Sequence, residues 1–260
     1  MRDGAIDEDI ETEYIRPSVL YFPGMSSPIS TAPLLLALDT ASPTVSVALA
    51  RGAELLGERS MAMERSSVQL LGLIREVLAA AGARPADLGG VVALRGPGSF
   101  TGVRIGLATV LGLHQALDVP ATALDTLRVL AAAAPHPGQA VIAVVDALRG
   151  DWSAQAFAAG RPLSDMELVP GPELPRLAGG GEAVVIGFGV SRLAALTTGD
   201  GWPEGVRLIE PGALASAAAI LAASPETEWT PAFLTSAIYS RPPAITLPKP
   251  RAAVTVSRDA

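Results

Sequence analysis

A glycine-rich turn between an apolar strand and an apolar helix constrains this chain more than any other stretch. The turn reads GPGSFTG at residues 96–102, follows an apolar run at residues 88–94, and leads into an alanine- and leucine-rich segment that ends near Leu117. Ser99 and Thr101 lie where the first turn of a helix needs a side-chain oxygen to accept a backbone N–H bond, and the glycines allow the backbone to bend. The stretch therefore predicts a strand, a tight turn and a helix.

The same turn is also a candidate anion site, because unpaired N–H groups at a helix N-terminus attract negative charge. It lacks the lysine of a P-loop, and it does not have the spacing and acidic residue of a dinucleotide-binding unit. A capped connection and an anion site both remain open on the sequence alone. The candidate nucleotide- or anion-binding residues are Asp39, Thr40, Gly96, Gly98, Ser99 and Thr101.

Glycines inside the predicted helix indicate close packing. Gly102 and Gly106 are one turn apart, and Gly112 follows near the far end. Each costs roughly 1 kcal/mol of helix stability relative to alanine, so we expect a neighbour against their bare backbone, in the form of a helix from this chain or another. We expect Gly106→Leu to weaken a complex more than the fold; if Gly106 faces its own core, the substitution should unfold the protein.

The order of the predicted elements indicates an α/β chain built twice on one plan. Apolar strands at residues 34–38 and 141–145 each end in an aspartate, Asp39 and Asp146, and each is followed by a second strand. The predicted strands are residues 34–38, 45–50, 53–61, 88–94, 119–123, 141–145, 152–158 and 184–187, and the predicted helices are residues 68–81, 101–117, 124–134, 191–196 and 213–223. We predict an N-terminal lobe at residues 33–135 and a C-terminal lobe with an extended tail at residues 136–260.

Residues 1–32 differ from the rest in composition. They are rich in acids, proline and serine, and residues 1–30 carry −4 of the chain's net charge of −7. We expect a disordered extension, or a start site assigned too early with Met25 as the true beginning. The remaining chain is only mildly acidic and shows no basic footprint of the kind that nucleic-acid binding needs.

Several kinds of site are excluded by residue counts. The chain has no cysteine and only two histidines, His114 and His136, which are not spaced as a metal pair. Asp39 and Asp146 are the candidates for a metal-water or general-base role, against the alternative that Asp39 caps its own turn. We predict no catalytic residue and no metal site. No apolar run approaches the ~18 residues of a membrane span, and the start is acidic, so we expect a cytoplasmic protein.

Four stretches together resemble the TsaB (YeaZ) family of bacterial tRNA threonylcarbamoyladenosine biosynthesis proteins. They are LLALDTASPTVSVALA, DLGGVVALRGPGSFTGVRIGLATVLGL, VVDALRGDWSAQAF and YSRPPAIT, which together run from residue 34 to residue 246. GPGSFTGVRIG is the most specific of these signals. The resemblance implies the duplicated actin, sugar kinase and Hsp70 (ASKHA) fold, with two lobes that each contain a mixed sheet flanked by helices.

The resemblance also implies a function. Family members are non-catalytic subunits that bind and activate the catalytic subunit TsaD, together with the ATPase TsaE, and reach tRNA indirectly through that complex. It implies no intrinsic cofactor, ATP or ADP at the shared interface of the complex, and a homodimer when the subunit is alone. The implied partner interface consists of Leu70, Leu71, Ile74, Gly102, Arg104, Ile105, Gly106 and Thr109.

The chain departs from its relatives at two points. TsaD-type relatives carry an HxxxH metal pair after their own GPG turn, whereas the equivalent stretch here, ALDVPATALDTLRVL, contains no histidine. The family pattern H-S-E-x-L-L-P is replaced by Ser66-Ser67-Val68-Gln69-Leu70-Leu71-Gly72. The alternative function is an independent nucleotide-dependent enzyme of the same fold. A peptidase role is disfavoured because no metal ligands or catalytic triad can be recognised.

Overall fold

A computed structural model describes residues 13–14, 32–62, 66–135, 138–179, 181–196 and 201–241 of the 260-residue chain. His136 lies outside the described residues, as does most of the N-terminal extension. Two residues of that extension form a short strand, β1 (Glu13–Tyr14), which pairs with a strand near the C-terminus. The domain boundaries given above remain predictions.

The first sheet has five strands, and the strand at its centre is fully buried. These are β2 (Leu34–Asp39), β3 (Thr44–Arg51), β4 (Glu54–Ala62), β5 (Gly90–Leu94) and β6 (Ala121–Leu124), in the order β4-β3-β2-β5-β6. β2 pairs antiparallel with β3 and parallel with β5. Every residue of β2 and β5 is buried, as expected for strands covered on both faces, which read as continuous apolar runs.

The second sheet repeats this plan. Its strands are β7 (Ala140–Asp146), β8 (Asp151–Ala158), β9 (Arg161–Pro162), β10 (Glu167–Pro170), β11 (Ala183–Ile186) and β12 (Val206–Glu210), and β1 joins the edge at β12. β7 pairs antiparallel with β8 and parallel with β11, as β2 does with β3 and β5. Each lobe therefore opens with a strand that has an antiparallel neighbour on one side and a parallel neighbour on the other.

In the described ranges, five α-helices cover the sheets: α1 (Ser66–Ala80), α2 (Phe100–Leu117), α3 (Thr126–Ala132), α4 (Ser191–Leu196) and α5 (Ala215–Ala222). α1 packs against β3 and β4, and α2 packs against β5 and β6. α5 belongs to the second half of the sequence, yet it packs against β2 and β3 of the first sheet, and also against α3. The chain thus returns to the first lobe after completing the second sheet.

The core extends through both lobes. Alternate residues of β7 face opposite ways: Val141 and Ala143 join the main cluster with the first lobe, whereas Ile142 and Val144 join a smaller cluster with Trp152. This alternation is the side-chain period of a strand. The predicted fold class, two lobes each with a mixed sheet flanked by helices, is confirmed. In the described part of the chain, no helix has the length and apolar character that crossing a membrane requires.

Candidate functional site

The glycine-rich turn lies beside the turn that follows β2. The backbone N–H of Ser99 donates to the carbonyl oxygen of Ala41 (2.8 Å), and Thr40 Oγ1 donates to the carbonyl oxygen of Gly102 (2.7 Å). The structure therefore brings together the residues predicted for nucleotide or anion binding, which come from two separate stretches of the sequence. Their role in binding stays a prediction.

Ser99 caps helix α2, as the sequence predicts. Its Oγ accepts from the backbone N–H of Gly102 (3.2 Å), and its carbonyl oxygen accepts from the N–H of Val103 (2.9 Å). Because the N–H of Ser99 is also donated to Ala41, two of the amides that could hold an anion at this helix end, those of Ser99 and Gly102, already have partners within the chain. The local geometry favours the capped connection over the anion site.

Gly106 faces the chain's own core, which corrects its assignment to a partner interface. A Cβ atom at this position would collide with Thr40 Oγ1, the same hydroxyl that binds the carbonyl of Gly102. The neighbour that needs bare helix backbone is thus a turn of the same lobe, and the packing helix that we predicted is not what touches Gly106. Sequence spacing identified the close approach correctly but could not identify its partner.

The other predicted interface residues divide by exposure. Leu70 and Ile74 of α1 and Gly102 of α2 are buried within the lobe, so these assignments are wrong for the chain as folded. Leu71 is 64% exposed and Arg104 is also exposed, while Ile105 and Thr109 are half-buried. The Oγ1 of Thr109 donates to the carbonyl oxygen of Ile105 (2.8 Å).

A cleft of about 910 Å³ separates the two lobes. The first lobe lines it with Ser42, Pro97, Ser99, Phe100 and Thr126, and the second lobe with Asp146, Phe188 and Arg192. Its volume is in the range of small-molecule sites. The hydroxyl oxygens of Ser42 and Thr126 are buried and have no hydrogen-bond partner among the described residues.

Asp39 lies beneath the first lobe's side of the cleft and is fully buried. Its Oδ1 accepts hydrogen bonds from the backbone N–H groups of Ala41 (2.9 Å) and Ser42 (3.1 Å), which is the turn-capping geometry. Its Oδ2 has no partner in the described part of the chain. Burial raises the pKa of Asp39 to about 6, an effect to which the nearby Glu58 carboxylate adds and which the hydrogen bonds from Ser42 and Ala41 oppose.

Asp146 occupies the corresponding place in the second lobe and is partly exposed. Its Oδ1 accepts from the N–H of Leu148 (2.7 Å), and its Oδ2 pairs with Arg192 (2.8 Å). Nearby, Glu210 accepts from the N–H groups of Gly189 (2.9 Å) and Ser191 (3.1 Å) at the start of α4. A carboxylate of the chain itself thus occupies the N–H groups at this helix end.

The charges that face the cleft are neutralised within the chain. The two arginines that line it, Arg192 and Arg241, are paired with Asp146 and Asp151. Within the described ranges, no cluster of three or more histidine or acidic side chains could hold a metal ion. The cleft can therefore accept a small apolar group, but its described lining offers no unpaired cation to the phosphates of a nucleotide.

The chain forms a strap at residues 236–241 that sequence reasoning missed. The N–H of Ile238 donates to the carbonyl oxygen of Arg95 (2.7 Å) in the first lobe, and the carbonyl of Ile238 lies where Gly96, at φ +99°, would carry a Cβ. In the second lobe, Ser153 Oγ donates to Ser240 Oγ (2.6 Å). The strap therefore bridges the lobes, and the YSRPPAIT stretch was its only sequence signal.

Phe100, Arg104 and Tyr239 form a stacked cluster where the strap crosses α2. The rings of Phe100 and Tyr239 are 4.9 Å apart at their centroids, and the guanidinium carbon of Arg104 lies 3.8 Å from the centroid of Phe100. Arg104 Nε donates to the hydroxyl oxygen of Tyr239 (3.1 Å). The Arg104 side chain, which the sequence placed at an interface, is thus held at the surface by two aromatic rings.

His114 joins the end of α2 to the loop that follows it. Its Nδ1 lies 2.7 Å from the carbonyl oxygen of Val119, to which it donates, and this bond ties the end of α2 to the following loop.

Comparison with known proteins gives a consistent set of relatives. A sequence model of the family described as TsaD: tRNA N6-adenosine threonylcarbamoyltransferase matches residues 60–160. The TsaB proteins of Bacillus subtilis and Haemophilus influenzae are 34% and 36% identical to this chain, over 45% and 44% of its length. The TsaB protein of Escherichia coli is 32% identical over 45% of the chain. The chain spans about half the length of these curated relatives, 49–52%.

Solved structures extend the likeness to most of the chain. A Pseudomonas aeruginosa protein described as similar to peptidase YEAZ has a TM-score of 0.66 at 26% identity, over 80% of this chain and 100% of its own. YeaZ from Pseudomonas aeruginosa has a TM-score of 0.59 at 24% identity, over 73% of this chain and 90% of its own, and supports the fold alone. These findings confirm the resemblance that the GPGSFTGVRIG stretch indicates.

Proposed function

We propose, from the premise that this chain is a relative of the TsaB (YeaZ) proteins, that it is a non-catalytic subunit of a tRNA threonylcarbamoyladenosine modification complex. In this role it binds and activates a TsaD-type catalytic subunit. The similarity to named TsaB proteins supports a role in tRNA threonylcarbamoyladenosine biosynthesis. The exposed parts of α1 and α2 supply the surface for the partner. Leu71 and Arg104 are the exposed members of that surface.

The observation that carries the non-catalytic role is the electrostatics of the cleft. Both arginines on its lining are already paired with carboxylates of the chain, and the N–H groups at the start of α4 are bound by Glu210. A nucleotide-dependent enzyme has to neutralise phosphate charge with cations, metal ions or free amides. In this chain, a phosphate could use these arginines and N–H groups only after their ion pairs and hydrogen bonds were broken. The cleft therefore favours a binding role over catalysis.

The further partners follow from the same proposal. A TsaE-type ATPase joins the complex, tRNA is reached through the complex, and the subunit forms a homodimer when its partner is absent. ATP or ADP binds at the interface of the assembled complex. The modification of tRNA takes place in the cytoplasm. The candidate nucleotide- or anion-binding residues, Asp39 and Ser99 among them, belong to the first lobe.

The test is complex formation by the purified full-length chain and the TsaD-type subunit of the same organism, followed by size-exclusion chromatography with light scattering. We expect a heteromeric species whose mass is a sum of both subunits. Two separate peaks at micromolar concentration, combined with ATP hydrolysis by this chain alone, would overturn the proposal in favour of an independent nucleotide-dependent enzyme.

A further inference from the structure

We propose that Arg104 is the centre of a carboxylate-binding docking surface, formed with Phe100 and Tyr239, that accepts an aspartate or glutamate side chain of a protein partner. The inference rests on the proposed function, because the partner is the TsaD-type subunit. It adds the chemistry of the contact: an acidic side chain on the partner, bound by one arginine that this chain holds in place.

The geometry leaves the outer edge of the guanidinium free. Arg104 Nε donates to the hydroxyl oxygen of Tyr239, and the guanidinium carbon lies 3.8 Å from the ring centroid of Phe100 and 5.9 Å from that of Tyr239. The two terminal NH₂ groups have no carboxylate partner within the described residues. Two parallel N–H donors on one edge match the two oxygens of a carboxylate.

Several other arginines of the described chain are held by acids. Those within 4.0 Å of a carboxylate include Arg84, Arg95, Arg161, Arg176, Arg192 and Arg241. Arg104 is held by the ring of Phe100 and the phenol of Tyr239 instead, so it is ordered without a carboxylate partner among the described residues.

Ordering before binding is what makes such a group effective. A free arginine loses much side-chain entropy when it is immobilised at an interface, and a side chain already held by a ring contact and a hydrogen bond loses less. Arginine and large aromatic residues also dominate the binding energy of protein interfaces. Phe100 is 40% exposed and flanks the guanidinium, so an apolar contact beside the carboxylate completes the surface.

A phosphate could also bind this edge, but the make-up of the cluster favours a protein carboxylate. Nucleic-acid binding draws on many basic groups rather than one. In the cluster itself, Arg104 is the basic member and its neighbours are aromatic rings.

The experiment measures the Kd of the TsaD-type subunit for the full-length chain by isothermal titration calorimetry. Arg104→Ala is expected to weaken binding by roughly tenfold or more, and Arg104→Lys by several-fold, because lysine keeps the charge but loses the paired donors. Tyr239→Phe, which removes only the hydroxyl, should have a smaller effect. Arg84→Ala is the matched control, since Arg84 is an exposed arginine whose carboxylate partner, Asp87, lies in the same loop.

The partner's carboxylate is identified by replacing its surface Asp and Glu residues with Asn and Gln. One such change should weaken wild-type binding and add little in the Arg104→Ala background. Unchanged Kd for Arg104→Ala, with a wild-type complex that forms, would overturn this inference and leave the proposed function standing. Absence of the wild-type complex would overturn both, and binding of the free chain to tRNA that Arg104→Ala abolishes would replace the carboxylate with phosphate.

Discussion

The two lobes place an aspartate at the same point of the same plan and use it differently. Asp39 closes the opening strand of the first lobe, is fully buried, and binds two backbone N–H groups of its own turn. Asp146 closes the opening strand of the second lobe, is partly exposed, and shares its charge with Arg192. One carboxylate thus supports the fold and the other forms a surface ion pair.

The difference teaches that a repeated architecture does not imply a repeated site. An enzyme that used the cleft for phosphate chemistry would need both lobes to present charged groups to it. Here, the first lobe buries its acid beneath the turn, and the second lobe pairs its acid with the arginine that a phosphate would need. The comparison can be tested by substitutions on each side of the cleft.

We expect the largest effect from Gly106→Leu in the first lobe. The side chain would displace Thr40, whose Oγ1 would then lose its bond to the carbonyl of Gly102. Overpacking and a lost buried hydrogen bond together should lower the free energy of unfolding by about 4 kcal/mol. Urea denaturation checks this, with Gly112→Leu as control, because nothing lies within 4 Å of a Cβ at Gly112. Equal stability of the two variants would show that Thr40 does not constrain α2.

Asp39→Asn should change how stability depends on pH. Because burial raises the pKa of Asp39 from 3.8 to about 6, the folded state binds the proton more tightly, and wild-type stability falls as the pH rises from about 4 to 6. A shift of this size corresponds to about 3 kcal/mol across that window. The amide side chain of the variant cannot ionise, so the stability of the variant should not show this part of the fall with pH.

Glu58→Gln is the companion variant for the same pH series. Burial also raises the pKa of Glu58, and hydrogen bonding by Ser216 opposes this effect. Ionisation of this carboxyl therefore also lowers the free energy of unfolding as the pH rises. Free energies of unfolding measured between pH 4 and pH 7.5 should therefore be flattest when both residues are replaced. A steep fall that survives in the double variant would contradict the assignment to Asp39 and Glu58.

The smallest effect is expected in the second lobe. Arg192 is 62% exposed, and its pair with Asp146 is accessible to solvent on one side. Arg192→Gln should therefore lower the free energy of unfolding by less than about 1 kcal/mol, which is the usual value of such a pair. Thermal denaturation at low and high salt checks this. A loss as large as that of the first-lobe substitutions would remove the contrast between the lobes.

The sequence predicted the regular elements well where their pattern was strong. The buried strands β2, β5 and β7 were found as continuous apolar runs, and the predicted helix at residues 191–196 has the bounds of α4. Ser99 was correctly identified as the cap of α2 because its hydroxyl follows a turn and precedes an apolar segment. These features depend on neighbours within a few residues, which the sequence displays directly.

Features that depend on distant contacts were missed. β10 and β12 are short and mixed in character, and each is defined by the strand that it pairs with. The predicted interface included Leu70 and Gly106 because spacing shows that a helix has a packed face but not which partner covers it. The contact between Arg104 and Tyr239 joins residues 135 positions apart, so no local pattern could predict it.

The most direct test of the account is reconstituted threonylcarbamoyl transfer to tRNA with the TsaD-type subunit, the TsaE-type ATPase and this chain carrying both Asp39→Asn and Asp146→Asn. We expect that transfer requires the chain but proceeds at close to the wild-type rate with this variant, because neither the buried Asp39 nor the cleft residue Asp146 performs chemistry. Loss of transfer by a variant that still folds and still forms the complex would contradict it, and would identify the cleft as a catalytic site.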